Sequence, residues 1–113
     1  MKKSFLSIIC LLTAFSANHA LAVGDASAGE SKVAMCAGCH GSDGNSMVAS
    51  FPNLAGIGEK YMTQQLRTIK SGDRVIVEMT GILNASTDQD LQDMAAYYDS
   101  QTRKITGAQD ITL

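Results

Sequence analysis

Within the stretch MCAGCHGSDGN, from Met35 to Asn45, the residues Cys36-Ala37-Gly38-Cys39-His40 are the densest group of chemistry-bearing side chains in this sequence. Two thiols with two residues between them suit three chemistries. They can cycle as a redox disulfide, supply half of a zinc site, or anchor a haem through thioethers. The histidine that follows the second cysteine at once discriminates among these. A plain disulfide gives it no role. In the haem reading the thiols add to the two vinyl groups, and the histidine turns its imidazole under the iron as proximal ligand.

Which rivals survive depends on which residues persist. The chain has 113 residues, enough for one domain. Its start has Lys2 and Lys3, then an apolar run through Phe5, Leu6, Ile8, Ile9, Cys10, Leu11 and Leu12, then NHALA with small Ala20 and Ala22. This pattern reads as a secretory signal peptide over residues 1–22, cleaved after Ala22, with one domain over 23–113. The run is too short and interrupted to read as a membrane span. Cys10 sits inside the apolar run without the small residue expected before a lipidated cysteine, and leaves with the signal. Cleavage leaves His40 as the single histidine and Cys36 and Cys39 as the only cysteines. Those three donors fall short of the four that structural zinc takes. A thioredoxin-like site requires strand–helix alternation, which the periodicity does not offer. Loss of Lys2 and Lys3 leaves seven basic residues against eleven acidic ones, a balance that argues against nucleic acid as a partner. Without Trp, and with Phe51 as its one Phe, the exported chain has a thin apolar inventory. Small scaffolds of this kind need a staple, and a bulky apolar cofactor would serve.

Haem iron takes a sixth ligand, and no second histidine remains, so either the position is open or a methionine, a lysine or the N-terminal amine closes it. Met35 adjoins an attached cysteine, and Met47 follows His40 too closely to bridge easily to the opposite face. Met62 and Met94 lie on apolar helical stripes, where packing is the ordinary job. Met79 stands in an irregular segment some forty residues after His40, far enough to wrap round a haem edge. Loop packing is its alternative role.

Three helices must position these groups. The first is expected from Asp25, as N-cap, to about Cys36, with Ala26, Gly29, Val33 and Cys36 on one face. Gly29 inside it costs about 1 kcal/mol against alanine, which marks either a frayed helix or a close crossing by another helix. The second spans about Lys60 to Ser71, with Met62, Leu66 and Ile69 in helical period and Gly72 as its stop. The third runs from about Asp88 to Gln101. Leu91, Met94, Ala95 and Tyr98 repeat at i, i+3, i+4, i+7, behind a capping box at Ser86 or Thr87. Val75 to Val77 reads as extended loop, since no partner strand is evident. The expected class is all-α, three or more helices around one cofactor.

The segments CAGCHGSDGNS, FPNLAG, YMTQQL, VEMTGIL and TDQDLQDMAAYY occur in the order seen in class I c-type cytochromes. The chain resembles the single-haem domains of the bacterial cytochrome c-four and c-553 kind, from Gly24 to about Gln101. The resemblance implies the small class I cytochrome c fold and one covalent haem c. It implies Cys36 and Cys39 as thioether anchors, and His40 and Met79 as axial iron ligands. It implies a Pro52 carbonyl that accepts the proton of His40 Nδ1, and a helix crossing between Gly29 and the Tyr97/Tyr98 region. Arg74 resembles a residue near the haem propionates, with an exposed loop charge as the alternative. Tyr61 could line the pocket or simply pack. One haem is expected instead of the two of the cytochrome c-four kind, and with it no electron transfer between two haems within the chain. The tail RKITGAQDITL has no counterpart.

His/Met ligation closes both axial positions and implies a one-electron carrier, not an enzyme. The expected partners are a quinol-oxidising complex, a terminal oxidase or a periplasmic reductase. No nucleic acid and no stable membrane insertion are expected, the state is monomer or weak dimer, and the location is the periplasm. The alternatives are a haem-bearing subunit of a periplasmic enzyme complex, and a sensor with a labile Met79.

Overall fold

A computed structural model describes residues 23–105. The expected signal peptide and the end of the tail, 106–113, lie outside the described residues. Four α-helices follow in order: α1 (Ala26–Glu30), α2 (Ala34–His40), α3 (Glu59–Ser71) and α4 (Asp88–Asp99), with a 3-10 turn at Val77–Met79. The described residues contain no strand, so the chain is all-α as the sequence implies.

The ends of α1, α3 and α4 are set by local chemistry. Asp25 caps α1 by accepting from the backbone N–H groups of Ser27 and Ala28. Thr87 caps α4 in a reciprocal capping box with Asp90. Gly72 ends α3 in the left-handed region at φ 88°. The first helix departs from the sequence expectation. It does not run from Asp25 to Cys36 but breaks at Ser31–Val33 and restarts as α2. The break lets Lys32 turn back to α4, where its ammonium meets Asp90 at 2.8 Å and Asp93 at 2.5 Å. It also drops Val33 into the core. The third helix is two residues shorter than expected.

Helix α4 is the hub and packs on both α1 and α3. Its crossing with α1 is a contact of backbones. A Cβ on Gly29 would stand 2.0 Å from the Asp93 carbonyl oxygen and 2.9 Å from the Tyr97 Cβ. Gly24 meets the Gln92 carbonyl in the same way, also at 2.0 Å. Asp93, 3% exposed, ties the crossing together. Its carboxylate accepts from the Asp25 N–H at 2.8 Å, from Lys32 and from Gln89. Arg67 on α3 grips Asp88 on α4 through two parallel bonds of 2.6 and 2.7 Å.

The core gathers around Tyr98, Leu83, Leu91 and Met94, joined by Met62 and Leu66 from α3 and by Val33 and Ala95. Met62 and Met94 are thus packing residues. Cys36, Met79 and Ile82 lie against this core without being fully buried. After α4 the chain folds back over the loop that follows α2. Asn45 holds it with both ends of its amide, donating to the Thr102 carbonyl at 3.0 Å and accepting from the Lys104 N–H at 2.7 Å. Lys104 also pairs with Asp43 at 3.0 Å.

Two outcomes follow. Gly29→Ala gains up to about 1 kcal/mol of helix propensity but forces the crossing apart, at a typical overpacking cost of about 1–3 kcal/mol or more. Net destabilisation is expected in urea unfolding, whereas Gly38→Ala, with no atom within 4 Å of its added Cβ, should be neutral or stabilising. Acid should unfold the protein through its α4 carboxylates. Asp88 and Asp90 are pulled from the ordinary 3.8 to about 2, chiefly by Arg67 and by Lys32 respectively. Asp93 is lowered first by the Asp25 N–H and then by Lys32. Folded values below unfolded ones stabilise the protein above the ordinary carboxylate pKa, and that stability is lost as pH falls towards about 2. Circular dichroism against pH should show a flat plateau near neutrality and a fall below about pH 4. Lys32→Met should move the fall to higher pH.

Candidate functional site

Helix α2 carries Cys36, Cys39 and His40 along one short rise. Its seven residues bring the two thiols, at i and i+3, to the same side. The chain leaves the helix at Gly41, at φ 82°. A Cβ there would stand 2.4 Å from the Asn45 carbonyl oxygen, so the tight turn after His40 requires glycine. The loop that follows is held by Ser46 N–H donating to Asn53 at 2.7 Å, and by Leu54 and Ala55 donating to the Gly44 carbonyl. This closure brings Pro52 back beside α2.

His40 is buried, and its Nδ1 lies 2.8 Å from the Pro52 carbonyl oxygen. A carbonyl can only accept, so Nδ1 carries the proton and donates it. The neutral imidazole then has its lone pair on Nε2. Phe51 packs edge-on against the ring, with centroids 6.2 Å apart. The imidazole is thereby fixed both in tautomer and in orientation, the condition for a metal-ligating histidine.

These residues form one wall of an open, mostly apolar cleft of about 230 Å³. Its lining includes Met35, Cys36, Cys39, His40, Phe51, Pro52, Ile76, Met79 and Ile82. The expected anchors, the expected axial pair and Pro52 therefore border a single space. Ser50 and Glu78 add its few polar groups. Both cysteines are free thiols, Cys36 half-buried and Cys39 exposed. Burial pushes the Cys36 thiol up from its ordinary value, and the Tyr98 hydroxyl beside it acts in the opposite direction.

Met47, 99% exposed, stands outside the lining, as do Tyr61, also exposed, and Arg74. The Arg74 guanidinium instead donates to Gln65 on α3 at 2.5 Å. Ile76 and Ile82 went unnoticed in the sequence, although a signal existed. Met79 N–H donates to Ile76 and Ile82 N–H donates to Met79, two successive three-residue turns. At about three residues per turn, positions 76, 79 and 82 fall on one side. Ile76 is extended, as the sequence suggests; the 3-10 turn covers Val77–Met79, and Ile76, Met79 and Ile82 all line the cleft.

The donor set fits a haem. Two accessible thiols suit covalent attachment, an oriented imidazole and a thioether suit iron, and the largely apolar walls suit a porphyrin. Among the described residues, no three or more His, Cys, Asp or Glu side chains converge as an alternative metal site. No described helix is long and apolar enough to cross a membrane.

The chain is 49% identical over 105 residues to cytochrome c4 of Pseudomonas aeruginosa, covering 93% of this chain and 51% of that protein. It is 44% identical over 117 residues to cytochrome c4 of Azotobacter vinelandii, covering 96% and 55%. It thus spans about half the length of these relatives. Cytochrome c-554(548) of Halomonas halodenitrificans is 38% identical over 81 residues, 69% of this chain and 98% of the relative. The crystal structure of reduced recombinant cytochrome c4 from Pseudomonas stutzeri superposes with a TM-score of 0.69 at 50% identity, over 71% of this chain and 47% of that one. The cytochrome c family model matches residues 26–102, from the first helix to just beyond the last. Fold, cleft and sequence agree over the same span, and the chain belongs to the cytochrome c family.

Proposed function

We propose that this protein is a one-electron carrier, not an enzyme, with a single haem c bound through Cys36 and Cys39 and ligated by His40 and Met79. The observation that carries this reading is one cleft bordered by both thiols, the Met79 side chain and an imidazole whose Nδ1 is committed to the Pro52 carbonyl. The bound haem supplies an iron that alternates between Fe(II) and Fe(III). The rest is done by the chain. Pro52 keeps the His40 proton on Nδ1, which leaves Nε2 as ligand and raises its basicity. The Met79 thioether favours the reduced metal and raises the potential. Ile76, Ile82 and Phe51 exclude water from the walls, so the surroundings reorganise little as charge changes.

Residues 1–22 direct export, and the carrier works in the periplasm between redox proteins such as a quinol-oxidising complex and a terminal oxidase or reductase. Docking of such a carrier is brief and its interface small. A relative at 34% identity over 68 residues is named thiosulfate dehydrogenase electron acceptor, in keeping with a carrier role. The second reading is a haem-bearing subunit of a periplasmic enzyme complex. A carrier purifies alone as monomer or weak dimer, whereas a subunit co-purifies with its enzyme.

The visible spectrum and a pyridine haemochrome assay test the cofactor, for which a c-type product is expected. Met79→Ala should abolish the methionine-to-iron charge-transfer band of the oxidised protein and lower its potential. Met47→Ala should change neither. If the band survives in Met79→Ala, the distal assignment is wrong.

A further inference from the structure

Tyr98 is the largest of the fully buried side chains, and its hydroxyl has no hydrogen-bond partner of normal geometry among the described residues. A buried, unpaired hydroxyl is costly, and phenylalanine would fill the same space without the penalty. The ring is held firmly. Tyr97 packs edge-on at 5.3 Å, and the Tyr98 carbonyl accepts from the Gly56 N–H at 2.9 Å. Gly44 is bare against the ring, since a Cβ there would be 2.7 Å from Cδ1. The hydroxyl lies beside Cys36, which packs against the same core cluster and lines the cleft.

A free thiol is a weak acceptor that carries a hydrogen of its own. Thioether formation changes this. The S–H adds across a vinyl C=C bond, a new S–C bond forms, and the hydrogen passes to the other vinyl carbon. No electron is gained or lost. The sulfur that results keeps its lone pairs and has nothing left to donate. That is the partner the buried phenol lacks. Cys39 is exposed on the same helix.

We infer that Tyr98 is a positioning residue for the cofactor, its hydroxyl donating to the Cys36 sulfur once that sulfur is a thioether. The bond fixes the sulfur at the cleft floor and draws electron density from the attached ring, which favours Fe(II). The inference rests on the haem reading above and concerns one atom pair within it.

Equilibrium redox titration of the haem-bearing Tyr98→Phe protein tests it. The Fe(II)/Fe(III) ratio at fixed applied potential should fall about threefold, a midpoint lower by about 28 mV at 59 mV per tenfold. Tyr97→Phe removes a hydroxyl bound to the Ser42 carbonyl and should leave the midpoint unchanged. An unmoved midpoint in Tyr98→Phe, or an equal shift in both variants, would overturn the inference. If Tyr98→Phe does not accumulate folded, proton NMR of the reduced wild-type protein decides. A slowly exchanging phenolic proton with a nuclear Overhauser contact to the Cys36 β-protons supports the bond, and its absence refutes it. A wild-type protein without a c-type haemochrome would instead overturn the haem reading itself.

Discussion

The buried side chains around Tyr98, Leu83, Leu91 and Met94 are a small hydrophobic inventory, and on the side of α2 they give way to a cleft instead of another layer of protein. Cys36, Met79 and Ile82 belong to both surfaces: they pack on the core and they line the cleft. The wall of the site and the edge of the core are therefore one structure. Whatever apolar group fills the cleft completes the core, and the arrangement of α2, the loop after it and the 3-10 turn follows from having to surround that group.

The same economy governs how the site is held. His40 is held by one carbonyl and one aromatic ring, both from the loop at 50–53. That loop is fastened by Ser46, Asn53 and the Gly44 carbonyl, and the strap of residues 102–104 crosses its start through Asn45. An irregular segment can be precise when its backbone groups are satisfied in this way.

Local signals in the sequence are strong for α3 and α4, where apolar period, caps and a terminal glycine agree. The motif at Cys36–His40 and the candidate Met79 are equally plain, because their chemistry is written in residue type and spacing. What could not be read locally depends on distant partners. The break between α1 and α2 reflects Lys32 reaching residues some sixty positions away. Gly24 resembles any loop glycine until the Gln92 carbonyl is placed against it. The start of the tail had no pattern, since its purchase is the Asn45 amide and the Asp43 carboxylate, some sixty positions away. The placement of Tyr98 beside Cys36 joins α4 to α2 across the core, and no periodicity encodes it.

The crossing of α1 and α4 has a consequence for the order of events during synthesis. Gly24, Asp25 and Gly29 find their partners only at Gln92, Asp93 and Tyr97, and the bond from Asp25 to Asp93 spans 68 positions. Helix α1 has five residues, too few to persist alone. Residues 24–29 therefore cannot settle until α4 has left the ribosome. Folding of this span is gated by α4, and a nascent chain without it stays loose.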